Sequence, residues 1–262
     1  MSLGGCNDFT IDVGKKINND LGDKIDGRIY EDFLIKFRQL QFDNKGHSRK
    51  PTILKVRGKV NNRPVTWKLT KNESKIFDHY DKKILTHTPE IEVRTSLDLY
   101  IRIKFACKVA LATGYYLFGN NFLEYADCET LRKAMLSENL SDEKLDIRVY
   151  DELLYQKDDE GIAEFHKRLF KYLGCSLVCF TYTPGRICSS VSINGTYISM
   201  VNFKADLDKL DLNTDLHRAG TVMMCKDKKL IQKSVWQCTV DMSRDLKIFD
   251  FIDSEVNADE HL

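Results

Sequence analysis

Between residues 36 and 71 the chain carries eleven Lys or Arg against a single acid, Asp43. Within that block Lys50, Lys55, Arg57, Lys59, Arg63 and Lys68 have the types and spacing to neutralise a row of phosphates. From Thr52 the pattern has a period of two. Leu54, Val56, Gly58 and Val60 alternate with Lys55, Arg57 and Lys59, and Val65, Trp67 and Leu69 alternate with Thr66 and Lys68. Asn61-Asn62 stands between the two runs as a turn, so the spacing predicts a hairpin with one basic face. Such a face either contacts phosphates or is a solvated surface kept charged against sheet-to-sheet pairing.

Other chemistry-bearing residues are sparser. His47 with Arg49 and Lys50 forms a basic loop that either touches a phosphate or is solvated. His79 and His87 flank Asp78 and Asp81, a set that suits either a divalent ion or a polar surface. Cys175 and Cys179, four apart on an expected strand, share a face, and a buried apolar pair is the commoner arrangement there than a metal or redox site. His166, at the start of an amphipathic segment, reads as a surface or cap residue. The eight cysteines form no Cys-x-x-Cys pair and are expected as reduced, mostly buried thiols. No Gly-Lys-Ser/Thr phosphate loop, nucleophile elbow or dinucleotide fingerprint is present, so no complete alternative active site is offered.

The elements that must position these residues follow in chain order. A first helix is expected near Asp12 or Lys15, and a second is capped by Asp26 or Gly27 and carries Ile29, Phe33, Phe37 and Leu40 on one side. Residues 72–81 suit a short helix. The run 97–113 reads as a nearly surrounded helix with Ser96 as its cap, Gly114 as its stop, and a narrow polar strip of Asp98, Arg102 and Lys108. A short helix is expected over 128–136, an acidic loop over 137–161, and three strands around the turns Pro184-Gly185 and Asn194-Gly195. Further strands are expected over 220–224 and 234–240. The fold class is therefore α+β: an N-terminal helical piece with a basic hairpin, a central buried helix and a C-terminal antiparallel sheet. The expected divisions are residues 1–43, 44–95 and 96–262.

Leu3-Gly4-Gly5, Phe9-Thr10-Ile11, Asn18-Asn19, Leu21-Gly22 and Ile25-Asp26 resemble the second half of an HNH endonuclease finger of the bacterial and phage type. The run 97–136 resembles, at the level of pattern, the helical segment that follows that finger. The resemblance implies a DNA-associated protein with a partial ββα-type segment at its N-terminus. In such a finger a helix-borne residue, here Asn18 or Asn19, completes the shell of a Mg or Mn ion beside a general-base histidine. The segment that would hold that histidine is absent from this sequence, which implies a catalytically incomplete site unless another segment supplies it. Gly14 and Ile17 stand where the family places metal-clipping cysteines, so zinc is not expected.

The net charge of +1 hides a second block of opposite sign. Residues 120–165 carry thirteen acids against five bases, so an acidic stretch at 138–164 could dock a basic protein partner. The reading is thus a DNA-associated, HNH-like protein, with an active metal-dependent nuclease and a non-enzymatic protein-interaction module as the alternatives. No apolar run is long enough to cross a bilayer and no secretory leader is evident, which points to the cytoplasm.

Overall fold

The computed structural model describes residues 21–42, 52–85, 92–93, 98–138, 145–150, 160–226 and 229–246. Two compact units divide the chain, one of residues 12–102 and one whose described part begins at Ile103. The chain is a mixture of helices and two antiparallel sheets, an α+β protein. Among the described residues no helix is long and apolar enough to cross a membrane.

In the N-terminal unit Gly22–Asp26 winds as a single π turn and Gly27–Ile29 as a turn of α-helix. The helix expected from Asp26 or Gly27 onward does not run through. The chain tightens at residues 30–32, where Glu31 N–H donates to Arg28 O and Asp32 N–H to Ile29 O. Helix α1, Phe33–Phe42, then restarts with Asp32 as its cap. The Asp32 Oδ1 accepts from Leu34 N–H at 2.9 Å and Ile35 N–H at 3.4 Å, satisfying donors that a helix start leaves without partners. Phe33, Phe37 and Leu40 keep their three- and four-residue spacing and pack on Leu54, Val56, Trp67 and Leu69.

Those four residues line one face of a five-stranded antiparallel sheet of order β4-β3-β2-β1-β5. The strands are β1 Leu54–Val60, β2 Arg63–Leu69, β3 Ser74–Asp78, β4 Lys83–Leu85 and β5 Glu92–Val93. The expected hairpin forms: Asn61 and Asn62 both take positive φ, 49° and 63°, the geometry whose twist matches the flanking strands. The helix expected over 72–81 is instead β3 and the turn after it. Ile76 and Asp78 are buried while Phe77 faces out, a period of two that hydrogen bonding to the edge of β2 rewards.

The C-terminal unit is built on a six-stranded antiparallel sheet of order β11-β10-β7-β8-β9-β6. These strands are β6 Arg148–Tyr150, β7 Ser176–Thr183, β8 Arg186–Ile193, β9 Thr196–Lys204, β10 Thr221–Lys226 and β11 Lys229–Ser234. Long unbroken runs of buried residues in β7, β8 and β9 mean that both faces are covered. Helices α2 (Leu99–Phe118), α3 (Asn120–Tyr125), α4 (Cys128–Leu136), α5 (Glu160–Leu173) and α6 (Val235–Asp245) complete the order. One face carries Leu169 and Phe170 of α5 and Val235 and Cys238 of α6 on Leu177, Cys179, Val222 and Met224. On the other, Phe203 of β9 meets the ring of Phe122 in α3 edge-on at 6.1 Å.

Three expectations for this unit need correction. Helix α2 runs through Gly114, whose lack of a Cβ lets the ring of Phe122 approach: an added Cβ would meet it at 2.1 Å. The helix stops at Gly119, with φ 57°, and its start is capped by Asp98, whose Oδ1 accepts from Ile101 N–H, while Ser96 lies outside the described residues. Of the polar strip, Arg102 and Lys108 are buried. The acidic stretch expected as a loop contributes β6, paired to β9. Residues 235–240 are helix rather than strand, since Ser234 and Gln237 exchange side-chain and backbone hydrogen bonds in a capping box.

His166 is also not a surface residue. It is fully buried on the sheet-facing side of α5, with Nδ1 2.6 Å from Ser190 Oγ and its ring stacked on Phe170. Burial pushes its pKa down to about 4, so the ring is neutral in the fold. Because the folded pKa lies below the ordinary value of 6.5, the unfolded chain binds the extra proton first as pH falls. The contribution is therefore present above pH 6.5 and lost as pH drops from there toward 4. Denaturant titrations should show about 2 kcal/mol less stability at pH 5 than at pH 7 from this residue. In His166→Gln, which can still meet Ser190, that difference should shrink.

Candidate nucleic-acid interface

Helix α1 covers one face of the N-terminal sheet; the other face carries the cations. Strand β1 sends Leu54, Val56 and Val60 inward and Lys55, Arg57 and Lys59 outward, where all three are exposed. The register extends that outward face in rows across the strands. Lys55 pairs with Lys68 and Lys68 with Lys75; Arg57 pairs with Thr66, Thr66 with Phe77 and Phe77 with Ile84. A third row sets Lys59 beside Pro64, and His79 N–H donates to Pro64 O.

The first row places three ammonium groups on adjacent strands. Lys75 has an ion-pair partner in Glu73, but among the described residues Lys55, Arg57, Lys59 and Lys68 have none. Like charges directly opposite each other cost roughly 0.2–1 kcal/mol per pair, a cost that a bound anion would remove. The middle row is different in kind. Phe77 and Ile84 remain 39% and 49% exposed, so an apolar patch lies directly beside the cations. His79 packs edge-on against Phe77 at 5.6 Å, and its Nε2 lies 2.8 Å from Thr66 Oγ1, which fixes the ring.

Of the cations singled out in the sequence, the fold thus brings Lys55, Arg57, Lys59 and Lys68 together. Arg63 does not join them. It pairs with Val60 across the turn and so belongs to the opposite side of the sheet, where Nη1 lies 3.1 Å from Asp81 Oδ2 and 3.9 Å from Asp78 Oδ2. Lys50, His47, Asn18, Asn19 and His87 lie outside the described residues. The proposed ion site around Asp78 and Asp81 is otherwise occupied. Asp78 is buried and its Oδ1 accepts from Tyr80 N–H and Asp81 N–H, while both carboxylates face Arg63. Among the described residues no group of three or more His, Cys, Asp or Glu could hold a metal ion.

Cys179 and Cys175 are structural. Cys179 is fully buried, with its Sγ 3.6 Å from His166 Nε2, and burial raises both thiols above their ordinary range. The Ser190–His166–Cys179 grouping has the residue types of a nucleophilic site, but its neutral histidine and protonated thiol are sealed between helix and sheet. It satisfies polar groups in the core. In the acidic block, Asp146 bonds Lys204 and Arg186, which hold its carboxyl below the usual carboxylate range. That charge is spent within the unit.

Sequence reasoning does not place Lys75 and Phe77 on the basic face because their spacing also suits a helix over 72–81, and it assigns no element to Ile84. The alternation of Lys75 and Phe77 with Ile76 and Asp78 was the available signal. The chain matches no protein-family model, no curated protein and no solved structure.

Proposed function

We propose that this protein binds nucleic acid through the open face of its N-terminal sheet, as an HNH-endonuclease-like, DNA-associated protein. The observation that supports this reading is the asymmetry of that sheet: α1 packed on one face, and Lys55, Arg57, Lys59 and Lys68, without ion-pair partners among the described residues, on the other. The likeness of residues 3–26 to the second half of an HNH finger favours DNA as the polyanion. The protein-docking alternative is weaker, since part of the acidic block is already neutralised by Arg186 and Lys204.

Four phosphate contacts set a definite salt dependence. The logarithm of the association constant should fall with the logarithm of salt at a slope of about −3.6 on duplex DNA and about −2.8 on a single strand. Anisotropy titrations on the full chain between ~50 and ~200 mM salt measure it. A slope near zero, or no binding at the lowest salt, would overturn the proposal.

A further inference from the structure

We infer that the open face takes single-stranded rather than duplex nucleic acid, with a base stacked on Phe77 and the backbone following β1. The inference rests on the binding reading just given and goes beyond it in naming the form of the ligand. It starts from shape. Five strands at about 4.8 Å spacing make a face roughly 20 Å wide, too broad for a major groove of about 12 Å that admits a helix or a two-stranded ribbon. On such a surface a single strand can lie flat with its bases exposed to side chains.

The composition of the face points the same way. A phosphate backbone offers nothing to Phe77 and Ile84, which stay exposed in the row that begins with Arg57. A base offers a π face, and stacking on an aromatic ring is tolerant of sequence. The spacing is suitable. Lys55, Arg57 and Lys59 recur every second residue, about 7 Å apart along β1, which is comparable to the phosphate spacing of an extended single strand. Phe77 lies two strands away from Arg57, about 10 Å, within reach of a base whose phosphate sits on that arginine. His79, held by Thr66, packs at right angles to the Phe77 ring, which stays exposed beside it.

The test is fluorescence anisotropy on the full chain with a labelled oligothymidylate of about twelve nucleotides and a duplex of equal length. The single strand is expected to bind more tightly at equal salt. Phe77→Ala should weaken it about ten-fold or more while changing duplex binding less than about two-fold. Phe77→Tyr should bind like the parent, since it keeps the stacking surface. A Phe77→Trp variant supplies a reading independent of truncation: its added emission, relative to the two native tryptophans, should be quenched as the oligonucleotide is added. Equal or tighter duplex binding, an equal effect of Phe77→Ala on both ligands, or unquenched Trp emission on a bound oligonucleotide would each overturn the inference. In those cases a salt-dependent interaction would still leave the binding proposal standing. Loss of that proposal would show as indifference of both ligands to reversal of the β1 charges.

Discussion

Replacing Lys55, Arg57 and Lys59 together by Glu is expected to weaken nucleic-acid binding by about a thousand-fold at ~0.1 M salt. Each phosphate contact releases close to one counterion, so each lost contact costs nearly ten-fold at that salt, and three carboxylates add repulsion. The usual objection, that a triple variant binds poorly because it has unfolded, is answered by its thermal midpoint. All three positions are exposed, and Lys55 stands directly opposite Lys68 in the register. Lys55→Glu turns a repulsive cross-strand pair into an attractive one, worth a few tenths of a kcal/mol to the fold. Lys59→Glu has the opposite sign, since Lys59 stands opposite Glu92 in the β1–β5 register, so the two changes offset each other and affinity should collapse while the thermal midpoint stays close to the parent's. Arg63→Gln should behave in the reverse way. Its charge faces Asp78 and Asp81 on the other side of the sheet, so binding should change less than about two-fold. Unchanged affinity in the triple variant, measured on the same oligonucleotides, would remove the basis for a nucleic-acid interface on this face.

The contrast between Arg57 and Arg63 also marks how far the sequence could be read. Alternation gave the hairpin, and Asn61-Asn62 gave its turn, because both signals are local. A two-residue turn pairs Val60 with Arg63, so the same pattern sets Arg63 on the side of Val60, away from the basic face. The C-terminal meander was equally local, announced by Pro184-Gly185 and Asn194-Gly195. Much of what the sequence does not show depends on a distant partner; the helix at 235–240 is the exception, since its capping box is local. Ser74, Ile76, Phe77 and Tyr80 satisfy a helical spacing almost as well as an alternating one, and the free edge of β2 decides between them. Strand β6 is three residues long and exists through its pairing with β9. His166 is held neutral by burial, and its ring nitrogen is met by Ser190, twenty-four residues away. The face itself was half visible: its cations were local to β1 and β2, while Phe77 and Ile84 arrived with strands that the sequence did not resolve.

Substituting Arg102 by Met is expected to destabilise the N-terminal unit by about 3–5 kcal/mol. Arg102 and Asp32 are seventy residues apart and form an ion pair, Nε to Oδ2 3.0 Å, with their side chains 0% and 5% exposed. The two charges gain little net stability over a well-packed apolar pair, because each was costly to dehydrate. Removing one alone is another matter. It leaves the Asp32 carboxylate buried without its counter-charge while its Oδ1 still has to cap α1. For a unit of this size a loss of that order lowers the melting temperature by well over ten degrees. The second substitution separates charge from packing. Asn at position 32 is as good a helix cap as Asp and brings no charge, so Arg102→Met with Asp32→Asn should be more stable than Arg102→Met alone. A single variant within ~1 kcal/mol of the parent, or a double variant less stable than the single, would show that the pair is not what anchors the start of α1. The consequence for function follows from position, because α1 is the layer behind β1 and β2. If α1 loosens, the strands that carry the cations lose their apolar backing, and binding should fall with folding rather than with salt.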